Sequence, residues 1–171
     1  MTRAPEVWLR GPVPGFAPEL MPVAHSLLQV REEVEASVAS LSFEEVWTRP
    51  GGAASVGFHV KHLAGSLDRL LTYAKGERLT DAQFAALATE GGPSFPEEGA
   101  VALLGLMRDA IDRALGQLRT TPVDSLDEGR QVGRAGLPST VRGLLFHAAE
   151  HTQRHAGQIV TTATIVRSSS G

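Results

Sequence analysis

Four stretches of this chain repeat apolar residues at steps of three and four, and each is bounded by proline, glycine or a capping hydroxyl. That is the signature of amphipathic helices, which must bury their apolar stripes against one another. The first follows Pro22 and carries Val23, Leu27, Leu28, Val30, Val34 and Val38. The second, capped by Ser55, places Val56, Val60, Leu63, Leu67, Leu70 and Leu71 on one side and reaches about Ala74. A third follows Ser94 and Pro96 with Val101, Leu103, Leu104, Leu106, Met107, Ile111, Leu115 and Leu118, stopping near Thr120. The fourth is capped by Ser139 or Thr140 and runs from Val141 to about Val166; its β-branched end, Ile159 to Val166, weakens a helix without breaking it. The expected fold class is all-α, a four-helix bundle.

The connections are unequal. Ser42-Phe-Glu-Glu-Val-Trp47 has the serine and third-position glutamate of a capping box and predicts a turn or two of helix. Gly76 to Pro96 is a long crossover containing a minor helix at Thr80 to Ala88, and it allows helices two and three to run parallel. Asp124 to Pro138 reads as a polar, glycine-rich connector. An extended N-terminal segment is expected over residues 1–21 and a disordered tail over residues 167–171, within a single domain spanning 1–171.

Composition narrows the chemistry. With 16 Lys+Arg against 19 Asp+Glu, the net charge of -3 argues against a nucleic-acid backbone or an anionic membrane as partner. No apolar run reaches membrane-spanning length and no signal-peptide core is present, so a cytoplasmic protein is expected. Cysteine is absent, which leaves histidine nitrogen and carboxylate oxygen as metal ligands.

Five of the six histidines fall on two of these helices: His59 and His62 on the second, His147, His151 and His155 on the fourth. A four-residue step advances a helix by about 400°, so His151 and His155 lie about 40° apart and share one face, the separation at which two imidazoles bind one ion. A third ligand then comes from the facing helix. His62, in step with Leu63, Leu67 and Leu70, is the better candidate; His59 is read as a supporting or packing residue, and His147 as a supporting or pocket-wall residue with ligation as the minority reading. His25 stands about 12 Å from the level of His62 by helical rise and is read as structural or outer-pocket.

Glu150 is a weak candidate for a general base or a ligand-orienting carboxylate, since a residue one position before His151 points about 100° away from it. Gln158, about 60° from His155, is placed to hydrogen-bond a ligand ring. Phe58, Phe146, Trp47 and Tyr73 serve equally as pocket walls or as core. Three neutral imidazoles leave a coordination position open, which is the arrangement of catalytic sites. Two other readings are a metal-stabilised binding or stress-response module without turnover, and a polar histidine seam in an unmetallated helical dimer.

The run His147-x-x-x-His151-x-x-x-His155-Ala-Gly-Gln158, together with Ser55-Val-Gly-Phe-His-Val-Lys-His62-Leu-Ala, resembles the DinB-like superfamily of bacterial metalloproteins from the first helix to Val166. The resemblance implies a bundle of up-down-down-up topology and a divalent metal, nickel or zinc, held by His62, His151 and His155. It further implies a small-molecule substrate, with the metal activating water or a low-molecular-weight thiol in a transferase or hydrolase, and a possible homodimer. Arg154 before His155 and Ala156 after it depart from the family's usual His-His-Arg-Gly-Gln ending.

Overall fold

The computed structural model describes residues 4–169. Six α-helices and one hairpin follow in order: α1 (Met21–Val38), α2 (Phe43–Trp47), α3 (Val56–Ala74), α4 (Asp81–Ala88), α5 (Ala100–Thr120), β1 (Gly129–Val132), β2 (Leu137–Thr140) and α6 (Val141–Ser169). The four long helices are α1, α3, α5 and α6, and they form a four-helix bundle in which α1 and α3 each pack on both α5 and α6. The interior is the expected aliphatic one, with Leu27, Leu63, Leu67, Leu103, Met107, Ile111 and Ile159 all fully buried. Val101 and Leu106, counted by periodicity with the third stripe, instead face outward.

Caps do the local work. Ser42 and Glu45 form the expected capping box on α2, Thr80 and Gln83 form another on α4, and Ser55 Oγ accepts from the Phe58 amide at 3.1 Å to start α3. Thr140 caps α6, its Oγ1 accepting from the Gly143 amide at 3.0 Å. Polar pairs fix the helix directions. The Leu71 carbonyl accepts from Gln117 at 2.9 Å, which brings the C-terminal ends of α3 and α5 together. Arg167, at the end of α6, reaches the Ser37 carbonyl at the end of α1, while Glu35 and Arg108 pair across α1 and α5 with opposite polarity.

Three expectations are corrected. The N-terminal stretch is not simply extended: it contains 3-10 turns at Val7–Arg10 and Pro18–Leu20, anchored where the Val7 amide donates to Gln29 and Arg10 grips the Glu32 carboxylate. Residues 167–169 are helical, because Arg167 ties the last turn to Ser37 and Ser40; Ser170 and Gly171 of the expected tail, like residues 1–3, lie outside the described residues. The connector contains an antiparallel hairpin in which Arg130 faces Ser139 and Val132 faces Leu137. Four-residue strands interrupted by glycine and by Pro138 leave no alternation to read. The hairpin is held instead by tertiary contacts, Val132 against the core and Arg130 Nε donating to the Ala74 carbonyl at 2.8 Å.

The crossover between α3 and α5 is pinned beside His59 and His62. Lys61 is buried and donates to the Gly92 carbonyl and Ser94 Oγ, both at 2.8 Å, and to Glu98 Oε2 at 3.2 Å. Trp47 Nε1 donates to the Glu98 carbonyl at 2.8 Å, and its ring lies so close over Gly57 that a Cβ there would stand 2.6 Å from it. Only glycine lets α2 approach α3 this closely.

Candidate metal centre

Ser55 sets the start of α3, and from it His59 and His62 follow on the face turned to α6. The two helices are antiparallel there: His62 meets His151 and His59 meets His155, so a rise on one chain index is matched by a fall on the other. His62, His151 and His155 each bring one ring nitrogen to within 4.8 Å of the others. The Nε2 atoms of His62 and His151 are 3.2 Å apart. Two nitrogens each about 2.1 Å from an ion at a tetrahedral angle stand about 3.4 Å apart, so this pair is already at ligand spacing.

Each ring has an identifiable second nitrogen. His62 Nδ1 donates to Glu90 Oε2 at 2.7 Å, which leaves its Nε2 lone pair facing His151. His155 Nδ1 shares a proton with His59 Nδ1 at 3.1 Å, leaving Nε2 of His155 free. His151 Nδ1, the nitrogen turned away from His62, is buried with no hydrogen-bond partner among the described residues. The donor set fits a divalent ion: three imidazoles on two helices, two with supported rings.

Electrostatics favour the neutral form of His155, His151 and His59. Burial, reinforced by His62, His151 and His59, pushes His155 down to about 4. Burial likewise lowers His151, with His147 and His62 adding to it, and lowers His59, with His62 adding to it. Glu90 behaves in the opposite way to a lone buried acid. Burial pushes its carboxyl up, but hydrogen bonds from His62 and Arg69 outweigh that and hold it below the usual range.

Glu90 was not legible in the sequence. It follows α4 in the crossover, 28 positions from His62, and it is 5% exposed with Arg69 Nη1 on its other oxygen at 2.9 Å. The only available signal was a carboxylate at the end of a minor helix in an unusually long crossover. Carboxylates on the outer nitrogen of a ligand histidine fix its tautomer and raise its basicity. We expect Glu90→Gln to weaken divalent-metal affinity about 10–100-fold, measured by competition with a chromophoric chelator. Unchanged affinity would show that His62 needs no such partner.

The remaining candidates are placed less centrally. His147 is half exposed, its ring 5.4 Å from that of His151 and its Nδ1 3.3 Å from Glu150 Oε2. Glu150 is also gripped by Arg154, so it faces along the surface of α6 instead of toward a ligand ring. Gln158 is exposed and makes no side-chain hydrogen bond to a ligand ring among the described residues, which corrects that expectation: the ring nitrogen it would have served faces His59. His25 Nε2 donates to the Gly11 carbonyl at 3.0 Å and fastens the N-terminal segment. Phe58 stacks on His62 with rings 5.5 Å apart and 10° from parallel, so it walls the site. Phe146 is exposed, Trp47 packs against Gly57 and Tyr73 lines a different cavity.

Residues 26–159 match the family model of the DinB superfamily. The chain belongs to the DinB superfamily. The solved structure of YfiT from Bacillus subtilis, described as a probable metal-dependent hydrolase with an unusual four-helix bundle topology, shares the fold with a TM-score of 0.64. The match covers 90% of this DinB-superfamily chain and 91% of YfiT at 18% sequence identity. No curated protein matches the sequence. No helix among the described residues is long and apolar enough to cross a membrane.

Proposed function

We propose that this DinB-superfamily protein is a metal-dependent enzyme of the hydrolase or thiol-transferase type, acting on a small molecule in the cytoplasm. The observation that carries the reading is the convergence of His62, His151 and His155 at ligand spacing with no fourth protein ligand beside them among the described residues. Nickel or zinc suits three neutral imidazoles, and such an ion supplies Lewis acidity that brings the pKa of water or a thiol toward neutrality.

The chain's own residues would do the rest. Glu90 and His59 orient two of the rings. His147 stands on the rim one turn from His151 with Nδ1 toward Glu150, which leaves its Nε2 lone pair free to take a proton from an incoming nucleophile. Glu150 thereby orients the base instead of serving as one. Phe58 stacks on the His62 ring and walls that side of the site.

The test is turnover of ester, amide and electrophile panels, the last with several low-molecular-weight thiols, by protein stripped of metal and then reloaded with nickel or zinc. Activity that disappears with chelator, returns with metal and falls about 10²–10⁴-fold in His147→Ala at unchanged metal content supports the reading. Metal-dependent stabilisation with no turnover of any substrate would replace it with a metal-stabilised binding module.

A further inference from the structure

A cavity of about 750 Å³ opens at the opposite end of α3 from its cap, between the α3–α4 connection and the hairpin. Tyr73, on its wall, lies eleven residues beyond His62, which is about 16 Å along the helix axis. It is therefore separate from the histidine centre, and its volume is that of a small-molecule site.

Three guanidiniums line it, from Arg78, Arg130 and Arg134, against one carboxylate, Glu77. Arg130 is already committed: it donates to the Ala74 and Gly129 carbonyls at 2.8 and 2.9 Å and to Glu128 Oε2 at 2.9 Å. Neither Arg78 nor Arg134 has an acidic partner among the described residues. Arg134 lies over the Phe84 ring at 5.5 Å, which leaves its donor edges free. With Arg130 neutralised and Glu77 set against the other two, the cavity keeps one net positive charge and ten open guanidinium hydrogens. Phe84 and Tyr73 supply flat apolar surface beside them.

We propose that this cavity binds a small organic monoanion, a carboxylate attached to a flat apolar body. Planar guanidinium forks match a carboxylate in a bidentate way, and the single residual charge matches one carboxylate better than a phosphate dianion. The hairpin acquires a purpose through this assignment. It carries Arg130 and Arg134 to the end of α3, and its turn closes through Gly133 and Gly136, both at positive φ, where the tight reversal requires glycine.

The experiment is a calorimetric titration of the full chain with benzoate, benzamide and inorganic phosphate. Benzoate should bind saturably, with benzamide and phosphate each about tenfold weaker or worse. Arg78→Gln and Arg134→Gln, both at exposed side chains, should each raise the benzoate Kd about tenfold or more at unchanged Tm. Arg108→Gln, on the far surface of α5, should leave it unaltered. His151→Ala should also leave it unaltered, which separates this cavity from carboxylate capture by a metal at the histidine centre. Benzamide binding as tightly as benzoate, phosphate binding more tightly, or arginine variants with the native Kd would each overturn the assignment.

Discussion

Purified His151→Ala should bind divalent metal about 10²–10³-fold more weakly than the native chain, while its metal-free form melts close to the native temperature. The magnitude follows from sharing an affinity of about 10–16 kcal/mol among four positions, or about 2.5–4 kcal/mol for each. The second half follows from the structure. His151 Nδ1 is buried without a partner among the described residues and burial disfavours the charged ring, so truncation removes an unsatisfied polar atom along with the ring's packing. His155→Ala is a poorer test, because it strips His59 Nδ1 of its partner, whereas the His62 ring that faces His151 keeps its bond to Glu90. Metal content by elemental analysis and Tm with and without chelator check the prediction together. Stoichiometric metal in His151→Ala would remove that residue from the ligand set, and trace metal in reloaded native protein would remove the metal centre altogether.

Acidification should destabilise the metal-free protein through the same rings. In the unfolded chain His155 titrates near its ordinary value of 6.5, whereas in the fold burial and three neighbouring histidines hold it at about 4. Below pH 6.5 the unfolded state therefore takes up a proton that the folded state refuses, and stability falls as pH falls. The effect is fully absent above 6.5, grows through the interval and levels off below about 4. A gap of that size amounts to about 3 kcal/mol. For a domain of this length that is a Tm decrease on the order of 10 °C. His59 and His151, both lowered chiefly by burial, act in the same direction, and so does Glu90, whose carboxyl is held low by His62 and Arg69. Calorimetric melting between pH 8 and pH 4 in chelator checks this. The His155→Ala variant should show a shallower fall, and a native Tm that stays flat over the interval would contradict the neutral-ring arrangement.

The helices were legible because burial acts on the sequence at a fixed period. Leu63 and Leu67, or Leu103, Met107 and Ile111, repeat at the steps that one face of a helix imposes, and Ser42, Ser55 and Thr80 announce where amide donors need an acceptor. The His151 and His155 pair was legible for the same reason, since neighbours on one helix are fixed by rise and turn. Val101 shows the limit of that reading: periodicity states that a residue lies on a stripe, while only the neighbouring helices decide whether anything covers it.

The hairpin lay beyond reach because its strands are too short to alternate and are held by Arg130 and Val132, whose partners are distant in the chain. Glu90 lay beyond reach for a related reason. Its partners, His62 and Arg69, are 28 and 21 positions away, and nothing local marks a carboxylate as destined for burial. Lys61, donating to the Gly92 carbonyl, holds the crossover two residues from Glu90.

What the sequence determined by itself was therefore the set of helices, their caps and which histidines share a face, because these follow from local geometry with one period. The tertiary structure alone decided that His62 meets His151 while His59 meets His155, that Glu90 and not Glu150 holds the His62 ring, and that three arginines converge at the far end of α3. Those relations depend on helix direction and on loops closing over the bundle, and contacts between distant segments leave no period in the chain that makes them.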